Sequence, residues 1–171
     1  MDDVEVFQQH ALRLGKLIGN LQSLECGARM ALAGMEGQQV GQLANAFLQA
    51  SEGDWTDVNA LTAPDGLAET LRKYNAHVSS QCTIDVRRVV RLRDALAHGR
   101  VFGAGRYSAS RPLKLLKFSK GEKGGRVQVE MAIDMTEEWF KENTALLVDA
   151  LRRITKALDY EMVDLRTRQS L

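Results

Sequence analysis

Thr83-Ile-Asp-Val-Arg-Arg-Val-Val-Arg-Leu-Arg-Asp-Ala-Leu-Ala-His98-Gly99 is the stretch on which the architecture turns. Thr83 is placed to cap a helix, Asp85 falls in its first turn, and Gly99 stands where a helix usually stops. The segment therefore predicts a helix from Ile84 to His98 with its charged residues gathered at intervals along it.

Upstream, Pro64 suits the first turn of a helix whose apolar positions Leu67, Leu71, Tyr74 and Val78 keep the helical period and end near Ser79. Between residues 37 and 63 the signal is weak. Leu43, Ala44, Phe47 and Leu48 allow one short helix, and Ser51 to Asp54 reads as a break. Further back, Val4, Phe7, Ala11, Leu14, Ile18 and Leu21 recur at steps of three and four, with Leu17, Leu24, Ala28 and Met35 widening the stripe. The first ~30 residues thus form one amphipathic helix broad enough to need two neighbours. Gly15 and Gly19 lie one turn apart inside it, where each costs about 1 kcal/mol relative to Ala, and close helix approach is the expected compensation. Glu25 and Arg29 form an i,i+4 pair in the same helix, read as structural.

Downstream, Gly103, Gly105 and Pro112 mark a loop, and two strand-like runs come after it, Leu113 to Phe118 and Val127 to Ile133. In the second, Val127, Val129, Met131 and Ile133 alternate with Gln128, Glu130 and Asp134. A flexible basic tip, Lys120 to Gly125, joins them into a hairpin. Thr136 or Asp134 then caps a final helix with Glu137 and Glu138 in its first turn and a stripe through Phe140, Leu147, Leu151, Ile154, Leu158, Met162 and Leu165. Thirty helical residues span ~45 Å, long for one small domain, so part of this helix is expected to pack against a second chain. The fold class is mainly α: an antiparallel helical bundle, one domain over residues 1–171, with a β-hairpin at about 113–133 inserted before the long C-terminal helix.

The 171 residues carry 23 Lys plus Arg against 22 Asp plus Glu, a net charge of +1 that by itself predicts no polyanionic partner. The distribution says otherwise. Residues 84–126 hold twelve basic and three acidic side chains, +9 net, and the rest of the chain is −8. Such a block can attract phosphate if it folds onto one face. Cys26 and Cys82 stand 56 positions apart with no CxxC pair, and His10 and His77 lack ligand-spaced partners, so no metal site, cofactor or disulfide framework is expected. The acidic opening Met-Asp-Asp-Val-Glu-Val is unlike a secretory signal, and no window approaches a membrane span; a cytoplasmic, membrane-free protein is expected.

Within the basic block, Arg93 and His98 bracket four residues, and Asp94 follows the arginine. Arg72 and His77 share the spacing, but Lys73 follows that arginine and His77 lies inside its helix. The Arg93-Asp94-x2-Ala97-His98 pattern resembles the HEPN family, whose signature is an arginine, four to six residues and a histidine, with a polar residue usually after the arginine. Arg91 with His98 fits the longest spacing. The resemblance implies a helical domain with the signature late in the chain, RNA as substrate or ligand, and a homodimer in which both motifs line one cleft. It also implies a metal-independent endoribonuclease of toxin or defence type, sometimes paired with a nucleotidyltransferase-type antitoxin. Other members are non-catalytic RNA-binding or protein-interaction modules. Arg93, His98 and Asp94 are the candidate catalytic residues; Arg91, Arg100, Arg106, Arg111, Lys114 and Lys117 are the candidate RNA contacts.

Side-chain chemistry is compatible with that reading. Attack of a 2′-hydroxyl on its own phosphate needs a base, a proton for the leaving oxygen and positive charge on the phosphate, which His and Arg supply. On an ideal helix Arg93 and His98 stand about 140° apart, whereas Asp94 and Arg91 lie nearly on the face of His98. Asp94 is therefore expected to orient the imidazole, and Arg93 has to reach around. A histidine at a helix C-terminus is also favoured there simply by the helix dipole.

Overall fold

Apolar residues at helical spacing build five α-helices, and a run of alternating residues builds a small antiparallel sheet, in a computed structural model that describes residues 3–103 and 112–168. The order is α1 (Asp3–Met35), α2 (Val40–Gln49), α3 (Leu67–His77), a 3-10 turn at Ser80–Cys82, α4 (Val86–His98), β1 (Arg100–Phe102), β2 (Lys114–Lys123), β3 (Arg126–Asp134) and α5 (Glu137–Arg168). The protein is mainly helical, with a three-stranded sheet before the C-terminal helix. No helix among the described residues is long and apolar enough to cross a membrane. Contacts divide the chain into two compact units, Met1–Leu21 with Arg87–Val148 and Gln22–Val86 with Asp149–Leu171.

The first unit holds the start of α1, nearly all of α4, the sheet and the start of α5. Leu17, Leu21, Val89, Leu92, Ala95, Leu113, Leu115, Met135, Phe140 and Leu147 are its buried apolar residues. Strands β1 and β2 pair antiparallel with Arg100 opposite Leu116, and β2 and β3 pair with Lys114 opposite Asp134. The hairpin is longer than the sequence pattern predicts. Strand order continues to Lys123, and only Gly124 and Gly125 form the tip, both at positive φ (60° and 72°), as a two-residue turn of mirror-image type requires. Strand β1 is an addition: Val101 and Phe102 have strand character, but three residues beside glycines are too short to give a period. The predicted inward face of β3 is covered only in part, since Val127 and Val129 are exposed and Met131 and Ile133 half-buried. Thr136 caps α5, its Oγ1 accepting the Trp139 N–H at 3.1 Å, with Glu137 and Glu138 in the first turn.

The second unit buries Leu24, Ala28, Ala31, Leu32, Leu67, Leu71, Tyr74, Ile84 and Ile154. Arg29 pairs with Glu25 (Nη2 to Oε1, 2.9 Å), as the spacing predicts, and also donates to the carbonyls of Ala60, Ala63 and Asp65, tying the loop before α3 to α1. Helix α3 begins at Leu67 with Gly66 at its N-cap, so Pro64 precedes the helix and does not occupy its first turn. Helix α4 likewise starts later than Thr83 suggests. The side chain of Asn75 brackets Ile84, accepting its N–H and donating to its carbonyl, both at 2.8 Å, which takes Ile84 out of any helical ladder. Thr83 Oγ1 donates instead to the Ser80 carbonyl at 2.9 Å. Met162 and Leu165, the last members of the predicted α5 stripe, lie outside the residues whose side chains are described.

Candidate functional site

Helix α4 turns Val89, Leu92 and Ala95 inward, and this burial sets which residues face out. Arg87, Arg91, Asp94 and His98 succeed one another at steps of four, three and four, so they share a face of the helix. His98 is the last helical residue and is exposed, as are Arg87 and Arg91.

Arg93 starts on another side of α4, and its Nη1 lies 2.9 Å from Oδ1 of Asp94, a residue of the face that carries His98. Both side chains remain about one-third exposed (36% and 33%), so the pair is open to solvent and to a ligand. The Asp94 carboxylate is thus engaged by Arg93. The expected contact from Asp94 to the imidazole is not formed, and His98 makes no hydrogen bond among the described residues. The full positive charge of the guanidinium on the adjacent residue is a strong partner for a carboxylate.

Immediately after His98 the backbone is tightly constrained. Gly99 donates its N–H to the Ala95 carbonyl at 2.8 Å, and the chain enters β1 at the next residue. A Cβ at Gly99 would lie 2.3 Å from the Ala95 oxygen and 2.5 Å from Leu115 Cδ2. Its backbone is not in the left-handed region, so the helix ends here because α4 and β2 meet at this point, not through a left-handed stop.

Of the predicted RNA contacts, Arg100 is exposed on β1 with its guanidinium carbon 5.6 Å from the centre of the Phe118 ring, a cation–π contact that leaves its polar edge available. Lys114 and Lys117 are paired across the hairpin, with Asp134 at 3.3 Å and Glu130 at 3.2 Å. Those two acids lie just past the end of the basic block, so counting charge over 84–126 overstates what the folded surface presents. Arg106 and Arg111 lie outside the described residues. Arg87, Arg91, Arg100, Lys120, Lys123 and Arg126 have no ion pair among the described residues. They fall into two groups. Lys123 lies beyond Leu116, the partner of Arg100, by about five regular strand steps once the register shifts of the hairpin are allowed for, roughly 17 Å, so the hairpin tip is a separate patch from the end of α4.

Two elements of this site carry little sequence signal. Strand β1, which presents Arg100, is too short to show a period, and the stacking of Arg100 on Phe118 joins positions eighteen residues apart. No family model, curated protein or solved structure matches the chain.

Proposed function

We propose that this chain is a HEPN-like RNA-processing domain that acts as a homodimeric, metal-independent endoribonuclease of toxin or defence type, in the cytoplasm, with a nucleotidyltransferase-type protein as a fitting antitoxin. The observation that carries the reading is the end of α4, where His98 and Arg91 are exposed on one face and Asp94, on that same face, is paired with Arg93.

The chemistry asks for no bound group. An imidazole takes the proton of a ribose 2′-hydroxyl as O2′ attacks phosphorus, the bond from phosphorus to O5′ breaks, and an imidazolium gives O5′ its proton. The products are a 2′,3′-cyclic phosphate and a 5′-hydroxyl. One histidine per site supplies one of the two proton transfers, and a second copy supplies the other. Arg93 and Arg91 offset the charge that grows on the phosphate.

Purified protein cleaving single-stranded RNA in excess chelator, with losses of about 100-fold or more in His98→Ala and Arg93→Ala, is the expected result. Full activity in both variants would refute the assignment. A non-catalytic RNA-binding module is the second reading, favoured by the absence, among the described residues, of any hydrogen bond that would orient the His98 ring. Salt-sensitive binding without cleavage, indifferent to His98→Ala, selects it.

A further inference from the structure

Alternation along β1 and β2 gives the sheet a buried face and an open one. Leu115 is 1% exposed and lies opposite Val101, so these two positions mark the inner face. Arg100 and Phe102 fall on the other, opposite Leu116 and Lys114, and the guanidinium of Arg100 over the Phe118 ring places Phe118 there too. Phe102 keeps 46% of its surface exposed, and Phe118 is half-buried. Val129, the β3 partner of Phe118, and Val127 beyond it are also exposed and lead toward the hairpin tip. At the tip Lys123 and Arg126 stand directly opposite each other, with no ion pair among the described residues. Like charges at directly paired positions destabilise a hairpin, and an anion bound there removes that cost. Two aromatic rings thus share a surface that has one cation, Arg100, two residues after His98, and a pair of cations at its far end.

We infer that the open face of the sheet is a stacking platform for the unpaired bases of an RNA strand, with Phe102 and Phe118 taking bases and Arg100, Lys123 and Arg126 taking phosphates. Aromatic rings accept unstacked bases on their faces whatever the base, and flanking cations track the backbone. The paired cations at the tip select a polyanion over an apolar protein surface. Register sets Phe102, opposite Lys114, and Phe118 four strand residues apart, about 13 Å, against about 3.4 Å between stacked bases. The two rings therefore serve splayed bases and not neighbours in a continuous stack. A duplex keeps its bases in its own stack and offers this face only phosphates. Phe102 and Phe118 are positioning residues: they select a single strand, hold it beside the end of α4 and take no part in proton transfer.

The inference rests on RNA being the ligand in the proposed function and not on its cleavage. Fluorescence anisotropy tests it with 2′-O-methyl-oligouridine of about ten nucleotides, whose blocked 2′ oxygen cannot attack phosphorus, with the same chain lacking its bases, and with the oligouridine paired in a duplex. Wild type is expected to bind the unpaired uridines at least about fivefold tighter than the base-free chain, the least that one stacked base is worth, and tighter than the duplex. Phe102→Ala is expected to lose about fivefold or more on the uridines and nothing on the base-free chain, with an unchanged helical spectrum because the ring already faces solvent. Phe102→Trp is expected to keep wild-type binding. Lys123→Ser with Arg126→Ser is expected to weaken all three probes and to lower their salt dependence. Equal wild-type affinity for the three probes overturns the platform and leaves the RNA reading standing, as does Phe102→Ala that binds as wild type or loses equally on every probe. No affinity for any probe at low salt overturns the platform together with the RNA reading. Cleavage of unmodified RNA, scored separately, reports on the chemistry.

Discussion

Replacing Gly99 by alanine tests the link between the candidate site and the fold most directly. The added Cβ would stand 2.3 Å from the Ala95 carbonyl oxygen, 2.5 Å from Leu115 Cδ2 and 2.8 Å from Leu115 Cγ. Relaxed carbon–oxygen contacts settle at about 3.3–3.6 Å, so the backbone contact alone is about 1 Å too short. Neither neighbour can withdraw easily. The Ala95 oxygen accepts the Gly99 N–H, and Leu115 is buried on β2 between β1 and β3. Relief therefore means parting the end of α4 from the sheet, at the upper end of the ~1–3 kcal/mol typical of overpacking. At about 2–4 °C per kcal/mol for a chain of this size, the melting temperature should fall by roughly 6–12 °C. Gly121→Ala, where the same Cβ meets nothing within 4 Å, is the matched control and should stay within about 2 °C of wild type. Gly99→Ala melting as the control does would show that α4 and β2 do not meet as described.

Asn75→Ala removes both hydrogen bonds that bracket the buried Ile84 and should cost about 2–3 kcal/mol in denaturant titration; a change below ~0.5 kcal/mol would refute the bracket's role. Arg29→Lys cannot reach Glu25 and three carbonyls at once, so amide exchange across residues 60–65 should speed up, while Glu25→Gln should alter it little; equal protection in both would mean that the guanidinium does not hold the loop. His10 is held below its ordinary value of 6.5 by burial and secondly by Arg13, with Nε2 unpartnered beside the Phe140 ring. The unfolded chain then binds the proton more readily, so this contribution to stability is complete above pH 6.5 and is lost as pH falls through that value toward the lower folded one. His10→Leu should flatten the stability profile between pH 7 and 5, and an unchanged slope would sink the attribution.

The helices are legible because their signal is repetition: α1, α3, α4 and α5 each state their buried face several times over. What the sequence hides depends on single contacts between distant positions. The start of α4 is displaced from Thr83 to Val86 by the side chain of Asn75, on another helix, and no local capping rule sees it. Gly99 has the right position for a helix stop but is required there by Leu115, sixteen residues on. The basic block suffers most. Its charge is a sum along the chain, whereas Lys114 and Lys117 are neutralised across the hairpin by Asp134 and Glu130. The cations left without an ion pair among the described residues are fewer and lie in two places.

The same distinction sharpens the motif. A five-residue step puts Arg93 about 140° from His98 on an ideal helix, a spacing that would keep a phosphate ligand and a proton carrier apart. Arg91, two turns before His98, needs no help to share its face. Arg93 is paired at 2.9 Å with the carboxylate of Asp94, one residue later and one turn before His98, which ties it to a residue of that face. In the proposed site a polar residue directly after the arginine links it to a position that the helical period places on the face of the histidine. In the proposed site Asp94 is therefore the partner of Arg93 and not of the imidazole. Asp94→Asn, which keeps a hydrogen-bond acceptor, should therefore impair the site less than Asp94→Leu, and Arg91, already in place, should be insensitive to both.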